Sequence, residues 1–144
     1  MAGKIIVYTF VVADLIHVGH LRALQQAKAL GNHLIVGVLT DEATVAYKRQ
    51  PIIPFEERME LVANLRCVDE AIRQDNVDPT ENLKKLDVNI LTHGDDWNEN
   101  FPGAEYMRSI GRKAIRTKYY PYQSTSKIIE KIRNEHQPFK EKGD

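Results

Sequence analysis

Two uninterrupted apolar, β-branched runs, Lys4–Phe10 (KIIVYTF) and Leu34–Leu39 (LIVGVL), flank a stretch of helical periodicity. A strand with one wetted face alternates apolar and polar residues. A run without that alternation reads as a strand covered on both faces. Between the two runs Leu21, Leu24, Ala27 and Leu30 recur at helical spacing, and Gly31 is placed to stop the helix. A crossover helix between two buried strands makes them parallel neighbours, which restricts the chain to the α/β class.

The alternation continues. Phe55, Met59, Val62 and Leu65 mark a second amphipathic helix, with Pro54 at its start and Glu56 and Glu57 in its first turn. A short strand is predicted near Glu70–Arg73. Asp78-Pro79-Thr80-Glu81 reads as a helix start, with Asp78 capping, Pro79 first in the helix and Glu81 reaching back. Val88–Thr92 is a third strong strand, Ala104–Ile110 a short helix closed by Gly111, Lys113–Tyr120 a last strand, and Thr125–Asn134 a last helix built on Ile128, Ile129 and Ile132. The expected architecture is a Rossmann-like three-layer sandwich with a mostly parallel sheet. It is read as one domain over residues 1–144, with a polar tail from about 134 to 144. In such sheets ligands bind beyond the carboxyl ends of the strands.

Composition narrows the function. Twenty Lys and Arg against twenty Asp and Glu leave no net charge, which argues against a generally basic nucleic-acid-binding surface. One cysteine, Cys67, excludes an internal disulfide and a cysteine-built zinc site. No apolar run reaches the ~18–20 residues of a membrane span. The N-terminus enters a strand directly without a leader, so a cytoplasmic location is expected.

The loop after the first strand carries the best chemical signal. If the helix begins near Val18, His17 and His20 fall one turn apart at its N-terminus, where orphan N–H groups and the helix dipole favour an anion. Imidazole donors suit phosphate oxygens, and Gly19 removes a side chain that would hold a ligand off the backbone. A helix-capping histidine pair, or half of a metal site, is the structural alternative. At the last helix, Ser124, Thr125, Ser126 and Lys127 carry hydroxyls and a positive charge where Asp or Glu is usual. That composition suits a phosphate, although Ser124 could simply cap the helix.

His17-Val18-Gly19-His20 after a strand resembles the HxGH signature of the nucleotidyltransferase superfamily that includes the cytidylyltransferases. Thr40-Asp41-Glu42, Glu57-Arg58, Arg66 with Val68-Asp69-Glu70, Gly94-Asp95-Asp96-Trp97 and Ser124-Thr125-Ser126-Lys127-Ile128 fit it in order. The likeness covers about residues 4–134 and is similar to small glycerol-3-phosphate cytidylyltransferases. Ala13–His17 and Tyr47-Lys48-Arg49 look closer still to the cytidylyltransferase domains of phosphonate-pathway enzymes.

The resemblance implies transfer of CMP from CTP to a small phosphate- or phosphonate-bearing acceptor, with release of pyrophosphate. His17, His20 and Lys48 would be catalytic. Val12, Ala13 and Asp14 would approach the phosphates with Gly19, and so would Arg49, Ser124, Thr125 and Ser126. Gly94, Asp95, Asp96 and Trp97 would hold the base, and Arg66 would belong to the same nucleotide site. Mg²⁺ would arrive mainly on the nucleotide, without a dedicated protein metal site, and the chain would form a homodimer. Alternatives are an adenylyltransferase on the same scaffold, of the heptose-phosphate (lipopolysaccharide core) or flavin-nucleotide type, and a nucleotide-binding module that has lost turnover.

Two departures from the pattern bear on turnover. Val11-Val12-Ala13-Asp14 stands where cytidylyltransferases usually read Gly-Thr-Phe-Asp, putting stiff valines in the loop. Tyr119–Gln123 replaces Arg-Thr-Glu-Gly-Ile and loses an arginine, for which Arg116 and Lys118 are the candidate substitutes. The tyrosines there read as strand-end packing, or as a wall for a cationic acceptor. Phe101-Pro102-Gly103 reads as a turn. His33, His93 and His136 read as structural, with His93 near the site.

Overall fold

The computed structural model describes residues 3–134. The elements run β1 (Ile6–Val11), α1 (Val18–Ala29), β2 (His33–Leu39), α2 (Asp41–Val45), α3 (Phe55–Ala63), β3 (Glu70–Gln74), α4 (Thr80–Lys85), β4 (Ile90–Gly94), α5 (Ala104–Ser109), β5 (Lys113–Thr117) and α6 (Thr125–Asn134). All strand pairs are parallel, in the order β3-β2-β1-β4-β5. The Rossmann-like sandwich expected from the alternation is the fold observed. The expected polar tail beyond Asn134 and His136 lie outside the described residues.

The period-2 geometry of β1 divides the core. Tyr8 and Phe10 face one layer, with Leu39, Leu83, Leu91, Phe101 and Met107. Val7 faces the other, with Leu24 and Ala27 of α1, Val62 of α3, and Leu34, Val36 and Val38 of β2. Strand order then locates the crevice. The chain builds outward from β1 to β3 and returns to lay β4 on the other side of β1, so the order reverses between β1 and β4. The ladder between these two stops early. β1 pairs with β2 through Val11, but with β4 only at Val7 and Tyr8. Their carboxyl ends part, and a cleft opens there.

Local signals differ from expectation at a few points. α2 is a single turn, capped by the Thr40 side chain accepting from the Ala43 N–H, which periodicity does not reveal. β1 begins two residues later than expected, β4 runs Ile90–Gly94, and β5 ends at Thr117. Pro79, not Asp78, precedes the first helical residue of α4, and Asp78 instead accepts from the Thr80 N–H at 2.9 Å in a local turn. Gly31 follows a right-handed cap at Leu30 and has no positive φ. Its lack of a side chain serves close packing, because a Cβ there would strike the Ile5 carbonyl oxygen and Val7. Gly111, at φ 75°, ends α5 as expected.

Gly37 in the middle of β2 has a comparable role. The Tyr8 hydroxyl lies over it, donating to Gln74 Oε1 at 2.6 Å and accepting from Asn82 Nδ2 at 3.0 Å. Burial pushes the Tyr8 phenol up to about 12, so it stays protonated. A Cβ at residue 37 would overlap the Tyr8 hydroxyl and Gln74. Gly37→Ala is therefore expected to lower stability by about 1–3 kcal/mol, the usual scale of overpacking, measured by urea unfolding. An unchanged midpoint would show that Tyr8 and Gln74 move aside freely.

Candidate active site

A cleft of about 550 Å³ lies over the carboxyl ends of β1 and β4 and is lined from three directions. β1 and its exit loop supply Phe10, Val11, Val12 and Asp14, and α1 supplies His17, Gly19 and His20. The α2–α3 loop adds Tyr47, Lys48, Arg49 and Pro51. The β4 and β5 exits add His93, Gly94, Asp96, Tyr119 and Tyr120, and the turn into α6 adds Gln123 through Ser126. The volume fits a nucleotide-sized ligand.

The histidine pair caps α1 and faces the cleft as well. The Gly19 amide donates to His17 Nδ1 at 3.0 Å, and the His17 amide donates to His20 Nδ1 at 3.1 Å. Backbone N–H groups can only donate, so each Nδ1 carries a lone pair and each neutral ring has its proton on Nε2. The rings lie 4.1 Å apart between centroids. Burial holds His20 down to about 4, reinforced by His17 and Lys48 and opposed by Asp14; burial lowers His17 too. Both are therefore neutral Nε2–H donors at neutral pH. Gly19 is required for a different reason from the expected one: a Cβ there would meet His17 Cε1 at 2.7 Å, so the vacant space is used by the ring.

The hydroxyl turn meets the histidines across the cleft. Ser124 Oγ accepts from the Lys127 N–H at 3.1 Å and caps α6, while Thr125 Oγ1 donates to the Asp14 carbonyl at 2.7 Å. Lys127 turns away, its ammonium donating to the Pro121 carbonyl at 2.7 Å. Lys48 stands opposite, 5.3 Å above the Tyr47 ring. Burial lowers its pKa, and the Asp96 carboxylate opposes that shift.

Several expected ligand contacts are engaged elsewhere. Val12 lines the cleft, but Ala13 is buried in the core at φ 60°. The valines are accommodated because the left-handed backbone falls on Ala13 and Leu15 instead of on residues 11 and 12. The buried Asp14 carboxylate accepts from the Ile52 and Ile53 amides and from Nη1 of Arg49, which still lines the cleft. Asp95 fastens β4 to the end of β5 by accepting from the Tyr119 amide at 2.8 Å, and does not line the cleft. Trp97 stands behind His93, edge-on at 5.2 Å, as a partly buried neighbour of the core. Arg66 is exposed beyond α3, which leads into the amino end of β3, at the opposite end of the parallel strands from the cleft. Arg116 donates to the Trp97 carbonyl and pairs with Glu99, and neither it nor Lys118 lines the cleft.

Two residues are more central than the sequence indicated. His93 lines the cleft within a ring of Phe10, Trp97 and Phe101. Arg58 is completely buried and bonds the carbonyls of Val12, Leu39 and Ile53 and the carboxylate of Asp41. Its signal was present: Arg58 falls three after Phe55 and four before Val62, a charged residue on the core face of α3.

This geometry can be set beside known proteins. The sequence profile of the cytidylyltransferase-like family matches residues 12–131, from the cleft loop into α6. The chain belongs to that family. Among curated relatives, the bifunctional protein HldE of Citrifermentans bemidjiense is 36% identical over 133 residues, covering 90% of this chain and 27% of the relative. An ethanolamine-phosphate cytidylyltransferase of Arabidopsis thaliana is 43% identical over 88 residues, covering 58% of this chain and 21% of its own length. The chain thus spans about a quarter of these curated relatives. A crystal structure of a lipopolysaccharide core biosynthesis protein from Thermoplasma volcanium superposes with a TM-score of 0.73 at 30% identity, covering 82% of this chain and 99% of that one. Membership makes this cytidylyltransferase-like chain a nucleotidyltransferase-type protein. Among the described residues no helix is long and apolar enough to cross a membrane.

Proposed function

We propose that this chain transfers a cytidylyl group from CTP to a small phosphate- or phosphonate-bearing acceptor. The observation that carries the reading is the convergence of two neutral Nε2–H imidazoles and a hydroxyl-lined helix start on one cleft. An acceptor oxygen attacks the α-phosphorus of the nucleotide, the bond to the β-phosphate oxygen breaks, and pyrophosphate leaves with that electron pair. The reaction needs no protein nucleophile. His17 and His20 donate to phosphoryl oxygens as charge accumulates on them, without giving up a proton, and the Lys48 ammonium balances that charge. Asp96, on the cleft wall, accepts from the exocyclic amine of the base.

Magnesium would arrive on the nucleotide and would supply charge neutralisation at its phosphates. Among the described residues no three His, Cys, Asp or Glu side chains gather to hold a metal, and Asp14 is committed to three donors. The homodimer expected from the resemblance is tested by mass in solution.

A second reading, transfer from ATP by the lipopolysaccharide-core type of adenylyltransferase, draws on the likeness to the lipopolysaccharide core biosynthesis protein and on an amine common to cytosine and adenine. Pyrophosphate release from CTP, ATP, GTP and UTP with a panel of phosphate and phosphonate acceptors separates the two. Release with CTP supports the first reading and release with ATP the second. Nucleotide binding with no release under any acceptor favours a module without turnover. Asp96→Ala is expected to raise nucleotide KM about tenfold or more, the scale of a hydrogen bond to a charged group, with a smaller fall in kcat. An unchanged KM would remove Asp96 from base recognition.

A further inference from the structure

We propose that Arg49 is a positioning residue, which holds Lys48 over the cleft through a clasp with Asp14; the inference rests on the transferase reading above. The segment between α2 and α3 is anchored at both ends. Upstream, the Tyr47 and Lys48 amides donate to the Thr44 carbonyl at 3.1 and 2.8 Å. Downstream, the Ile52 and Ile53 amides donate to the two oxygens of Asp14, each at 2.9 Å. Arg49 joins the two anchors, with Nη1 donating to Asp14 Oδ2 at 2.8 Å and to the Gln50 carbonyl at 3.0 Å.

The acceptor side of the clasp is built in. Asp14 is 3% exposed, and its own carbonyl is held by Thr125 of the hydroxyl turn. Its neighbours on both sides, Ala13 and Leu15, adopt left-handed backbone at φ 60° and 50°. L-residues with a Cβ resist that region, so the surrounding contacts must hold them there. Their turn directs the carboxylate toward residues 49–53 while the next residues enter α1 with the histidines. Asp14 therefore links three walls of the cleft: the imidazole pair, the α6 start and the lysine loop. Arg49 lines the cleft, but its Nη1 is committed to this buried carboxylate and to the Gln50 carbonyl. Arg49 acts through the residue next to it.

A double-mutant cycle tests this with the nucleotide and acceptor identified by the pyrophosphate panel. Arg49→Ala is expected to lower kcat about 10–100-fold, the scale of a displaced reacting group, with nucleotide KM changed about twofold or less. The double variant with Lys48→Ala is expected to be no slower than Lys48→Ala alone, because Arg49 has nothing left to position. Arg49→Lys, which keeps one donor for Asp14, is expected to recover most of the rate. Multiplicative losses in the double variant would mean direct contact with substrate, and an unchanged kcat in Arg49→Ala would remove the role; either overturns the proposal.

Amide hydrogen exchange gives a readout without turnover. Exchange in Arg49→Ala should quicken across residues 46–51 while α1 and α6 keep their protection. Unchanged exchange there overturns the clasp, whatever the activity. Faster exchange in a chain whose wild type releases no pyrophosphate would support the clasp and sink the transferase reading.

Discussion

Replacing His20 by Ala is expected to lower kcat by at least ~10²-fold, the scale of losing one donor aimed at a developing phosphoryl charge. The same loss is expected at His17. Alanine also removes a cap at about 1 kcal/mol, so His17→Asn is the sharper variant. Asparagine caps well but has no imidazole, and should leave the melting temperature near wild type while kcat falls. Near-normal kcat in both the His17 and His20 variants would contradict their assignment.

The pH dependence has a definite sign. His20 titrates at about 4 in the folded chain, because burial, His17 and Lys48 oppose its charge, and near 6.5 when unfolded. Between these values the unfolded chain binds a proton that the folded chain refuses. Stability from this group is complete above about 6.5 and declines as pH falls toward about 4. Protonation must place a hydrogen on Nδ1, which breaks the bond from the His17 amide. Urea unfolding at pH 7 and pH 5 should show a smaller difference in His20→Ala than in wild type. An identical difference would place the titration elsewhere.

Arg58→Met is expected to cost about 3–5 kcal/mol, the range for removing one partner of a buried charged network. The methionine fills much of the volume but donates nothing. It leaves the carbonyls of Val12, Leu39 and Ile53 and the Asp41 carboxylate without the bonds Arg58 makes at 2.6–2.9 Å. A fall in melting temperature of roughly 10 °C or more should follow. Asp41→Asn should be milder, since Asp41 is partly exposed and an amide oxygen still accepts from Nη2. A loss under about 1 kcal/mol in Arg58→Met would show that water replaces the guanidinium at little cost.

The fold was legible where residues repeat. Continuous apolar runs gave β1 and β2, helical periodicity gave α1 and α3, and their alternation implied a parallel sheet. α2 was not legible, because one turn is too short to show a period. The site was legible where its parts lie within one helical turn, as with His17 and His20 or Ser124 to Ser126. It was obscure where a charged side chain answers a distant partner. Arg49 finds Asp14 across 35 positions and Asp95 finds Tyr119 across 24, and sequence cannot say whether such groups face a ligand or the protein. The family motif places Arg66 in the nucleotide site, whereas the parallel strand direction puts it at the amino end of β3, away from the cleft.

The cap of α1 is made by the same rings that face the cleft, so folding itself immobilises them. Their rotamer entropy is spent when the helix starts, before any nucleotide arrives. Substrate encounters donors that need no rearrangement, and its binding free energy is left to draw acceptor and α-phosphorus together.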